Sequence, residues 1–479
     1  MSPTFSALRN RNYRLYAAGG IVSNTGTWMQ RVAQDWLVLQ LHHGSPAQAG
    51  TALGVTTGLQ FLPILLFSAY AGVVADRVPK RRLLQYTQLS LGLVSLLLGV
   101  LALTGVVTPW MVFVLAFAFG CGAAFDAPAR QSFVSEMVSP DDLANAVGLN
   151  SASFNLGRIV GPAVSGLMIG ALGSGIFATG VVILVNAVSY AAVIYALSRM
   201  RESELAPFVP AGRRKGMLRD GVRYVRSRRD IMLILAVVFF AGTFGMNFQM
   251  TSALMATQVF HKGAGEYGIL GTTMAIGSLT GALMGARRSA RPRIMLVVLA
   301  ALAFAVVEVV LGLAPSYLTF LLLTPVLGFT VLTMINAANT SVQLSVVPAM
   351  RGRVMALYMM IFMGGTPLGA PVVGWVGGTF GARWTLIGGG AVTFVGVVAA
   401  VVVFLGARGP RRFDGRVLRP APRRPRMRSW PLERAALDSA HEPPPPTPGD
   451  PVRVGGADPD HRHRRPDEVG PCQSPSSTH

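Results

Sequence analysis

Twelve predominantly apolar stretches follow one another between residues 13 and 406, and they constrain the fold more than any other feature of this sequence. A lipid bilayer core requires about 20 mainly apolar residues for each spanning helix. Only 13% of the 479 residues are charged, against roughly 25% in soluble domains. The sequence therefore predicts an all-α membrane protein with twelve transmembrane helices, which we place at 13–41, 47–74, 83–104, 109–129, 143–171, 175–197, 231–257, 265–287, 294–313, 317–339, 353–380 and 384–406.

The charge of the predicted loops alternates along the chain. The loops after the second, sixth, eighth and tenth spans are rich in Arg and Lys, whereas the loops between them are short and nearly uncharged. Because Lys and Arg accumulate on the cytoplasmic side of a membrane, we predict that both termini are cytoplasmic and that the protein lies in a bacterial cytoplasmic membrane. These loops and the tail account for the net charge of +21, so we predict no nucleic acid partner.

The two halves of the chain repeat one pattern of glycines, which indicates duplication. With a constant offset of 208 residues (157 to 365, for example), Gly157, Gly161, Gly166, Gly170 and Gly173 recur as Gly365, Gly369, Gly374, Gly378 and Gly381. We divide the chain into an N-terminal segment (1–12), a first six-helix bundle (13–197), an Arg-rich linker (198–230), a second six-helix bundle (231–406) and a tail (407–479). The tail is rich in Arg and Pro, and we expect it to be disordered and cytoplasmic.

The sequence lacks the motifs that several enzyme classes require. None of the three lysines follows a glycine as a Walker motif requires, which argues against an ATP-driven pump. Three histidines fall in predicted loops and the other four in the tail, so a metalloprotease or hydrolase site has no support. The two cysteines, Cys121 in a span and Cys472 in the tail, offer no disulfide framework. We predict no enzyme activity, no catalytic residues, no cofactor and no metal site.

The loop between the second and third spans carries a recognisable motif. Residues 72–82 read Gly-Val-Val-Ala-Asp-Arg-Val-Pro-Lys-Arg-Arg, and this resembles the loop signature of the major facilitator superfamily. Pro79 occupies the position of the family's usual glycine, and Lys80 that of its first arginine. A carboxylate beside several cations at a helix end can hold one bundle against the other through ion pairs. The residues of this predicted latch are Gly72, Asp76, Arg77 and Arg81.

The fifth span resembles the antiporter motif of the same superfamily. The matching residues are Gly148, Gly157, Gly161, Pro162 and Gly166, with a serine at position 165 as the one departure. Small residues at this spacing let helices approach closely, and the proline removes a backbone hydrogen bond so that the helix can bend. In this superfamily the motif accompanies export. Residues 28–39 and 125–131 resemble the drug and siderophore exporter branch, and the overall resemblance covers about residues 5–406.

The first span carries a polar stripe. Asn24, Thr27, Arg31 and Asp35 follow one another at spacings of three and four and so share one helix face. Charges within a membrane cost at least ~2.5 kcal/mol each, so this face is not expected to meet lipid. The resemblance implies that the first, fourth, seventh and tenth helices line a central cavity, which makes the stripe a candidate substrate wall. A structural ion pair between Arg31 and Asp35 is the alternative.

Further polar groups within the spans extend this candidate pathway. Arg158 requires an acid or carbonyl partner, for which Asp35 or a cavity water could serve. Glu308 falls in a span that the resemblance makes peripheral, and we expect a local hydrogen bond there. The neutral amides of the seventh and tenth spans either contact a ligand or pack between helices. The predicted substrate and proton pathway comprises Asn24, Arg31, Asp35, Asp126, Arg158, Asn247, Gln249, Asn336 and Asn339.

Together, the motifs imply a major facilitator fold of two six-helix bundles. The resemblance implies a secondary active transporter, monomeric in the bilayer, that exports small amphipathic molecules such as drugs, antibiotics, siderophores or metabolites by alternating access. Proton antiport is the predicted coupling, with Asp35 as the leading carrier because it is the only acid in the first span. A lipid or lysolipid flippase of the same fold is the main alternative, and a membrane sensor or intramembrane enzyme remains a further one.

Overall fold

A computed structural model of the chain describes residues 3–42, 45–75, 77–205, 217–287 and 294–405. Over these residues the chain is helical apart from short connections. The predicted tail, the middle of the linker and Asp76 lie outside the described residues. The α-helices are α1 (Arg11–Leu41), α2 (Pro46–Ala75), α3 (Lys80–Leu103), α4 (Pro109–Met137), α5 (Pro140–Ala171), α6 (Ile176–Ser198), α7 (Met217–Ser227), α8 (Arg229–Phe240), α9 (Phe248–Leu254), α10 (Ala264–Arg287), α11 (Ile294–Gly312), α12 (Tyr317–Ser345), α13 (Pro348–Gly364), α14 (Thr366–Phe380) and α15 (Ala382–Leu405). Short 3₁₀ helices occupy Pro3–Arg9 and Glu202–Glu204.

These helices supply the twelve predicted spans. Helices α8 and α9 belong to one span, Arg229–Val259, and α13 and α14 contribute to another, Met350–Phe380. Within the described part of the chain, ten helical segments are long and apolar enough to cross a membrane. The two others, α1 and α5, are 31 and 32 residues long but carry the polar stripe and Arg158. The prediction of an all-α, twelve-helix membrane fold is confirmed.

Two of the spans are interrupted. Between α8 and α9 the chain forms a π-helical turn, Ala241–Gly245, and a second such turn, Met255–Val259, follows α9. The side-chain Nδ2 of Asn247 donates to the carbonyl oxygen of Thr243 at 3.0 Å and so bonds to the backbone at the break. The other interruption separates α13 from α14 at Gly365. Such irregular backbone within a membrane is tolerated where protein covers it.

The halves repeat one packing scheme. In the first half α3 packs on α4 and α6, and in the second half the equivalent helix α11 packs on α12 and α15. The most extensive contacts between the halves are made by two helix pairs, α5 with α10 and α2 with α14. The repeated glycines explain both junctions: a methyl group added at Gly166 would lie 2.5 Å from the Ala264 carbonyl oxygen, and one added at Gly374 would lie 2.5 Å from that of Gly50. Equivalent glycines of the two halves therefore permit equivalent close contacts.

Both junctions lie toward the same end of the bundle. The α2 side uses glycines 50, 54 and 58 in its first half, and the α10 side uses glycines 265 and 268 near its start. This end, which we call the junction end, is opposite to the α2–α3 connection. The halves are thus in close contact at the junction end.

Candidate substrate and proton pathway

The first two residues of the polar stripe form hydrogen bonds with other helices of the first half. Asn24 Nδ2 donates to Ser153 Oγ of α5 at 3.1 Å. The hydroxyl of Thr27 lies 3.2 Å from that of Tyr190 on α6. These bonds hold α1 against its two main neighbours, which is the interhelical packing role of polar groups in membranes.

Asp35 instead reaches across to the other half. Tyr267 of α10 donates its hydroxyl hydrogen to Asp35 Oδ2 at 2.8 Å, and both side chains are buried, with 7% of Asp35 and 1% of Tyr267 exposed. Trp36 stacks on the Tyr267 ring with 6.5 Å between ring centroids, and its indole nitrogen donates to the Ser174 carbonyl oxygen at 2.9 Å. The carboxylate therefore receives a hydrogen bond that joins the halves. Sequence reasoning missed Tyr267.

Arg31 lies one turn before Asp35 but forms no ion pair with it. Within the described residues, five ion pairs are formed, and neither Arg31 nor Asp35 takes part in any of them. The Arg31 guanidinium lies over the rings of Trp28, at 4.7 Å, and Phe61, at 5.5 Å. Its Nε is buried, and no hydrogen-bond partner for it is found among the described residues. Cation–π contacts are the main interactions seen for this charge.

Arg158 approaches the same indole from α5. Its guanidinium lies 5.9 Å from the Trp28 ring centroid, and its Nη2 donates to Ser278 Oγ at 2.6 Å. Ser278 belongs to α10 and is fully buried, so this bond also joins the two halves. Within the part of the chain that the structure describes, Arg158 forms no ion pair with Asp35 or with any other acid.

Asp126 is held entirely within the first half. Its Oδ1 accepts from Thr87 Oγ1 at 2.9 Å and from Gln88 Nε2 at 2.7 Å, both on α3. Its Oδ2 accepts from Arg130 Nε, four residues along α4, at 2.9 Å. Both carboxylate oxygens are thus satisfied by neighbours. Participation of Asp126 in the proton pathway stays a prediction.

The predicted polar residues of the second half are scattered. Asn247 caps the helical break, and its Oδ1 is buried without a hydrogen-bond partner among the described residues. The backbone oxygen of Gln249 lies 3.2 Å from the Tyr267 hydroxyl, which places this segment beside Asp35. Asn339 accepts from Gln343 Nε2 at 2.7 Å, within α12. Asn336, also on α12, is half-buried.

Glu308 is the most deeply buried acid among the described residues. It is 1% exposed on α11, and its Oε2 lacks a hydrogen-bond partner in the described part of the chain. The carboxylate faces the π-helical turn before α9: a methyl group at Gly245 would lie 2.8 Å from Oε2. The local hydrogen bond that we expected is therefore absent for this oxygen within the described residues.

The basic residues after α2 form hydrogen bonds and ion pairs within the first half. Arg81 Nε donates to the Leu197 carbonyl oxygen at 2.7 Å, and Nη2 donates to that of Ser198 at 3.1 Å. Arg81 also pairs with Glu202, and Lys80 pairs with Glu136. A cation at the carboxyl end of α6 is a favourable arrangement. Arg77 is exposed, Gly72 is half-buried, and Asp76 lies outside the described residues, so the latch stays a prediction.

The antiporter motif separates into two contact surfaces. Gly157 and Gly161 meet α1, where a methyl group would lie 2.8 Å from the Asn24 carbonyl carbon or 2.9 Å from the Thr25 carbonyl oxygen. Pro162 and Gly166 meet α10, the helix that carries Tyr267. At Gly148 a methyl group would meet nothing within 4 Å. The motif thus brings α1 and α10 onto opposite sides of α5.

Comparison with known proteins gives a family match. The model of the family described as transmembrane secretion effector, a group within the major facilitator superfamily, matches residues 2–411. The multidrug efflux pump Tap of Mycolicibacterium fortuitum is 30% identical over 378 residues, which cover 75% of this chain and 87% of that protein. The macrolide efflux protein A of Streptococcus pyogenes is 21% identical over 73% of this chain and 87% of that protein. The staphyloferrin A transporter of Staphylococcus aureus is 31% identical over 145 residues, 30% of this chain and 35% of that protein.

Solved structures show the same fold. A bacterial homologue of the human lysosomal transporter Spinster, in an inward-facing and occupied conformation, superposes with a TM-score of 0.62 at 16% identity, covering 82% of this chain and 97% of that one. A D-xylose–proton symporter superposes with a TM-score of 0.61 at 13% identity, covering 82% of this chain and 96% of that one. At these identities the similarity concerns the fold alone.

Proposed function

This chain belongs to the transmembrane secretion effector family of the major facilitator superfamily, and from that premise we propose that it exports small amphipathic molecules in exchange for protons. Relatives named for the efflux of multiple drugs and macrolides support export. We further propose that it acts as a monomer in the bacterial cytoplasmic membrane, with both termini in the cytoplasm, and that it neither catalyses a reaction nor binds nucleic acid.

The hydrogen bond between Asp35 and Tyr267 is the observation that carries the proposal of proton coupling. It joins an ionisable group of the first half to the second half, next to the α5–α10 junction, where Gly268 lies against Pro162. A hydrogen bond to an ionised acceptor is roughly twice as strong as one between neutral groups. Protonation of Asp35 therefore weakens closure at the junction end, and that is how a proton can bias the two conformations of a carrier.

One proton is energetically sufficient for useful export. Its inward movement gains about 2.3 kcal/mol per 100 mV of membrane potential and about 1.4 kcal/mol per unit of pH difference. Since each 1.4 kcal/mol corresponds to a factor of ten in concentration, one proton at 100 mV and one pH unit supports a substrate gradient of roughly 500-fold.

The export proposal can be tested with inside-out membrane vesicles that contain the full chain. We expect uptake of an amphipathic dye into the vesicles when their interior is acidified, and loss of that uptake when a protonophore collapses the gradient. Vesicles from cells without the protein are the control. Movement of a labelled phospholipid between leaflets in the absence of dye transport would favour the flippase alternative.

The orientation can be tested separately with reporter fusions. We expect a reporter fused after residue 405 or within 206–216 to be active only as a cytoplasmic protein, because Arg and Lys concentrate in these segments. A fusion within the short connection at residues 42–45 should behave as extracellular. A C-terminal reporter that is active outside the cell would contradict this topology and would place the junction end on the cytoplasmic side.

A further inference from the structure

We infer that the exported molecule is an anion, and specifically that Arg31 and Arg158 bind a carboxylate beside the face of Trp28. This inference rests on the proposed function, since it names the chemical class of the substrate for the same pathway. It is independent of the proton-coupling role of Asp35.

Two cations share one aromatic side chain at this site. The guanidinium groups of Arg31 and Arg158 lie 4.7 Å and 5.9 Å from the Trp28 ring centroid, and they come from different helices, α1 and α5. Phe61 of α2 contacts Arg31, and Phe154 of α5 packs edge-on against Trp28 with 5.9 Å between centroids. The cluster combines two positive charges with an apolar wall, as an amphipathic anion requires.

Neither guanidinium forms an ion pair with an acidic side chain within the described residues. The nearest acid in sequence, Asp35, is bound by Tyr267, and Arg158 donates to a neutral hydroxyl, that of Ser278. The Arg31 Nε is buried, and no partner for it is found among the described residues. Leaving a buried charge without an oppositely charged partner is strongly unfavourable. Two cations without an acidic partner at one site therefore point to an anionic ligand that binds reversibly.

Other arginines of the described bundle show the contrast. Arg130 is paired with Asp126 at 2.9 Å. Arg383, at the start of α15, donates to the carbonyl oxygens of Gly312 and Ala314 at 2.9 and 2.8 Å. The fold thus supplies Arg130 with a charged acceptor and Arg383 with two carbonyl acceptors. Arg31 and Arg158, in contrast, retain N–H donors for a ligand.

The donor geometry selects the kind of anion. A guanidinium is planar and presents its N–H groups in a fork that matches the two oxygens of a carboxylate. A carboxylate that draws Arg158 away from Ser278 would also release a hydrogen bond between α5 and α10. Substrate binding would then loosen the junction of the halves, in addition to any effect of protonation at Asp35.

Three probes with one apolar body and different charges test the inference: pyrenebutyrate (anionic), pyrenebutanamide (neutral) and pyrenebutylamine (cationic). Binding to the full chain in nanodiscs is measured against protein-free nanodiscs, which corrects for partition into lipid. We expect the carboxylate to bind at least about tenfold more tightly than the amide, because a charge-assisted bond is lost with the anion. Equal binding of all three probes, or tightest binding of the amine, would overturn the inference.

Substitutions at the two arginines test whether they cause the preference for the carboxylate. We expect Arg31→Gln and Arg158→Gln each to lower carboxylate affinity by about tenfold and amide affinity by much less, and Arg31→Lys and Arg158→Lys to keep part of the preference. Arg226→Gln, on the exposed surface of α7, is the matched control and should bind as the parent does. A carboxylate preference that survives in both Gln variants would refute the site. If these variants fail to fold, the comparison of probes on the parent protein still decides.

Transport of the same probes separates this inference from the proposed function. Selective binding of the carboxylate without transport of any probe would contradict export but support the anion site. Transport of the amine and amide with exclusion of the carboxylate would support export and contradict the anion site.

Discussion

Asp35→Asn is expected to lower pH-gradient-driven efflux by at least tenfold while the protein still inserts and folds. Asparagine keeps the size of the side chain and an oxygen that can accept from Tyr267, but it cannot bind and release a proton. The hydrogen bond that joins the halves is therefore retained in neutral form, and only the titration is lost. The measurement is the initial rate of dye transport in inside-out vesicles at a series of imposed pH differences.

Two further variants identify what a loss of transport means. Glu266→Gln, next to Tyr267 in sequence, removes a carboxylate that accepts from the Gly263 backbone N–H at the start of α10, and we expect it to keep the full gradient dependence. Tyr267→Phe leaves Asp35 titratable but removes the donor, so we expect proton coupling to persist with weaker closure. If Asp35→Asn keeps its full dependence on the gradient, the carrier is another acid, and Asp126 and Glu308 become the next candidates.

The same experiment distinguishes coupling from simple charge neutralisation. If Asp35 served only to neutralise Arg31, removal of both charges together would restore what either single change breaks. The two side chains form no ion pair within the described residues, and Asp35 is bound by Tyr267. We therefore expect no rescue in the Asp35→Asn, Arg31→Gln double variant.

The number and kind of helices could be predicted because lipid imposes a length and an apolar composition on each span. The prediction succeeded even for α1 and α5, which are more polar than the other spans, since the basic segments before the first span, after the second and after the sixth must be separated by an even number of crossings to lie on one side. Helix ends were less predictable. Helix α4 was predicted to end at 129 but continues to Met137, and Arg130, just beyond the predicted end, pairs with Asp126 one turn earlier.

The partners of the candidate site residues could not be predicted from sequence. Asp35 and Arg158 were identifiable because charges within a span are costly and therefore conspicuous. Their partners were not, because Tyr267 and Ser278 are ordinary members of an apolar helix more than 100 residues away in sequence. Periodicity places a residue on a helix face, but it carries no information about which distant helix covers that face.

The glycine repeat was predicted as a sign of duplication, and the structure supplies its physical cause. Gly166 and Gly374 occupy equivalent positions in the two halves, and each lies against the backbone of the opposite half. A duplicated helix that must approach a partner closely retains its glycines in both copies, since any side chain would hold the helices apart.

Gly374→Ala and Gly166→Ala are expected to open the junction end. A methyl group at 374 would lie 2.5 Å from the Gly50 carbonyl oxygen and 2.7 Å from the Gly54 Cα, and backbone atoms of this kind cannot move aside without separating α2 from α14. Overpacking of this type costs about 1–3 kcal/mol, which is enough to shift the population of the closed state by roughly tenfold or more.

The matched control for this prediction is Gly170→Ala, on the same helix as Gly166, where a methyl group would meet nothing within 4 Å. Alanine is more favourable than glycine by up to about 1 kcal/mol in a helix interior and by less at Gly170, the last residue but one of α5, so the control should be neutral or slightly stabilised. Any destabilisation by Gly166→Ala must then come from its contact with α10, where the Ala264 carbonyl oxygen is 2.5 Å from the added methyl group.

The readout is the reactivity of a cysteine placed at Thr51, beside Gly378 in the α2–α14 junction, in a background where Cys121 and Cys472 are serine. We expect a membrane-impermeant thiol reagent to label this position several-fold faster in the Gly374→Ala and Gly166→Ala variants than in the parent or in Gly170→Ala. The midpoint of thermal unfolding should fall in the same two variants. Parental labelling rates and unfolding temperatures in both would mean that the junction tolerates side chains and that close glycine contact does not hold the halves together at this end.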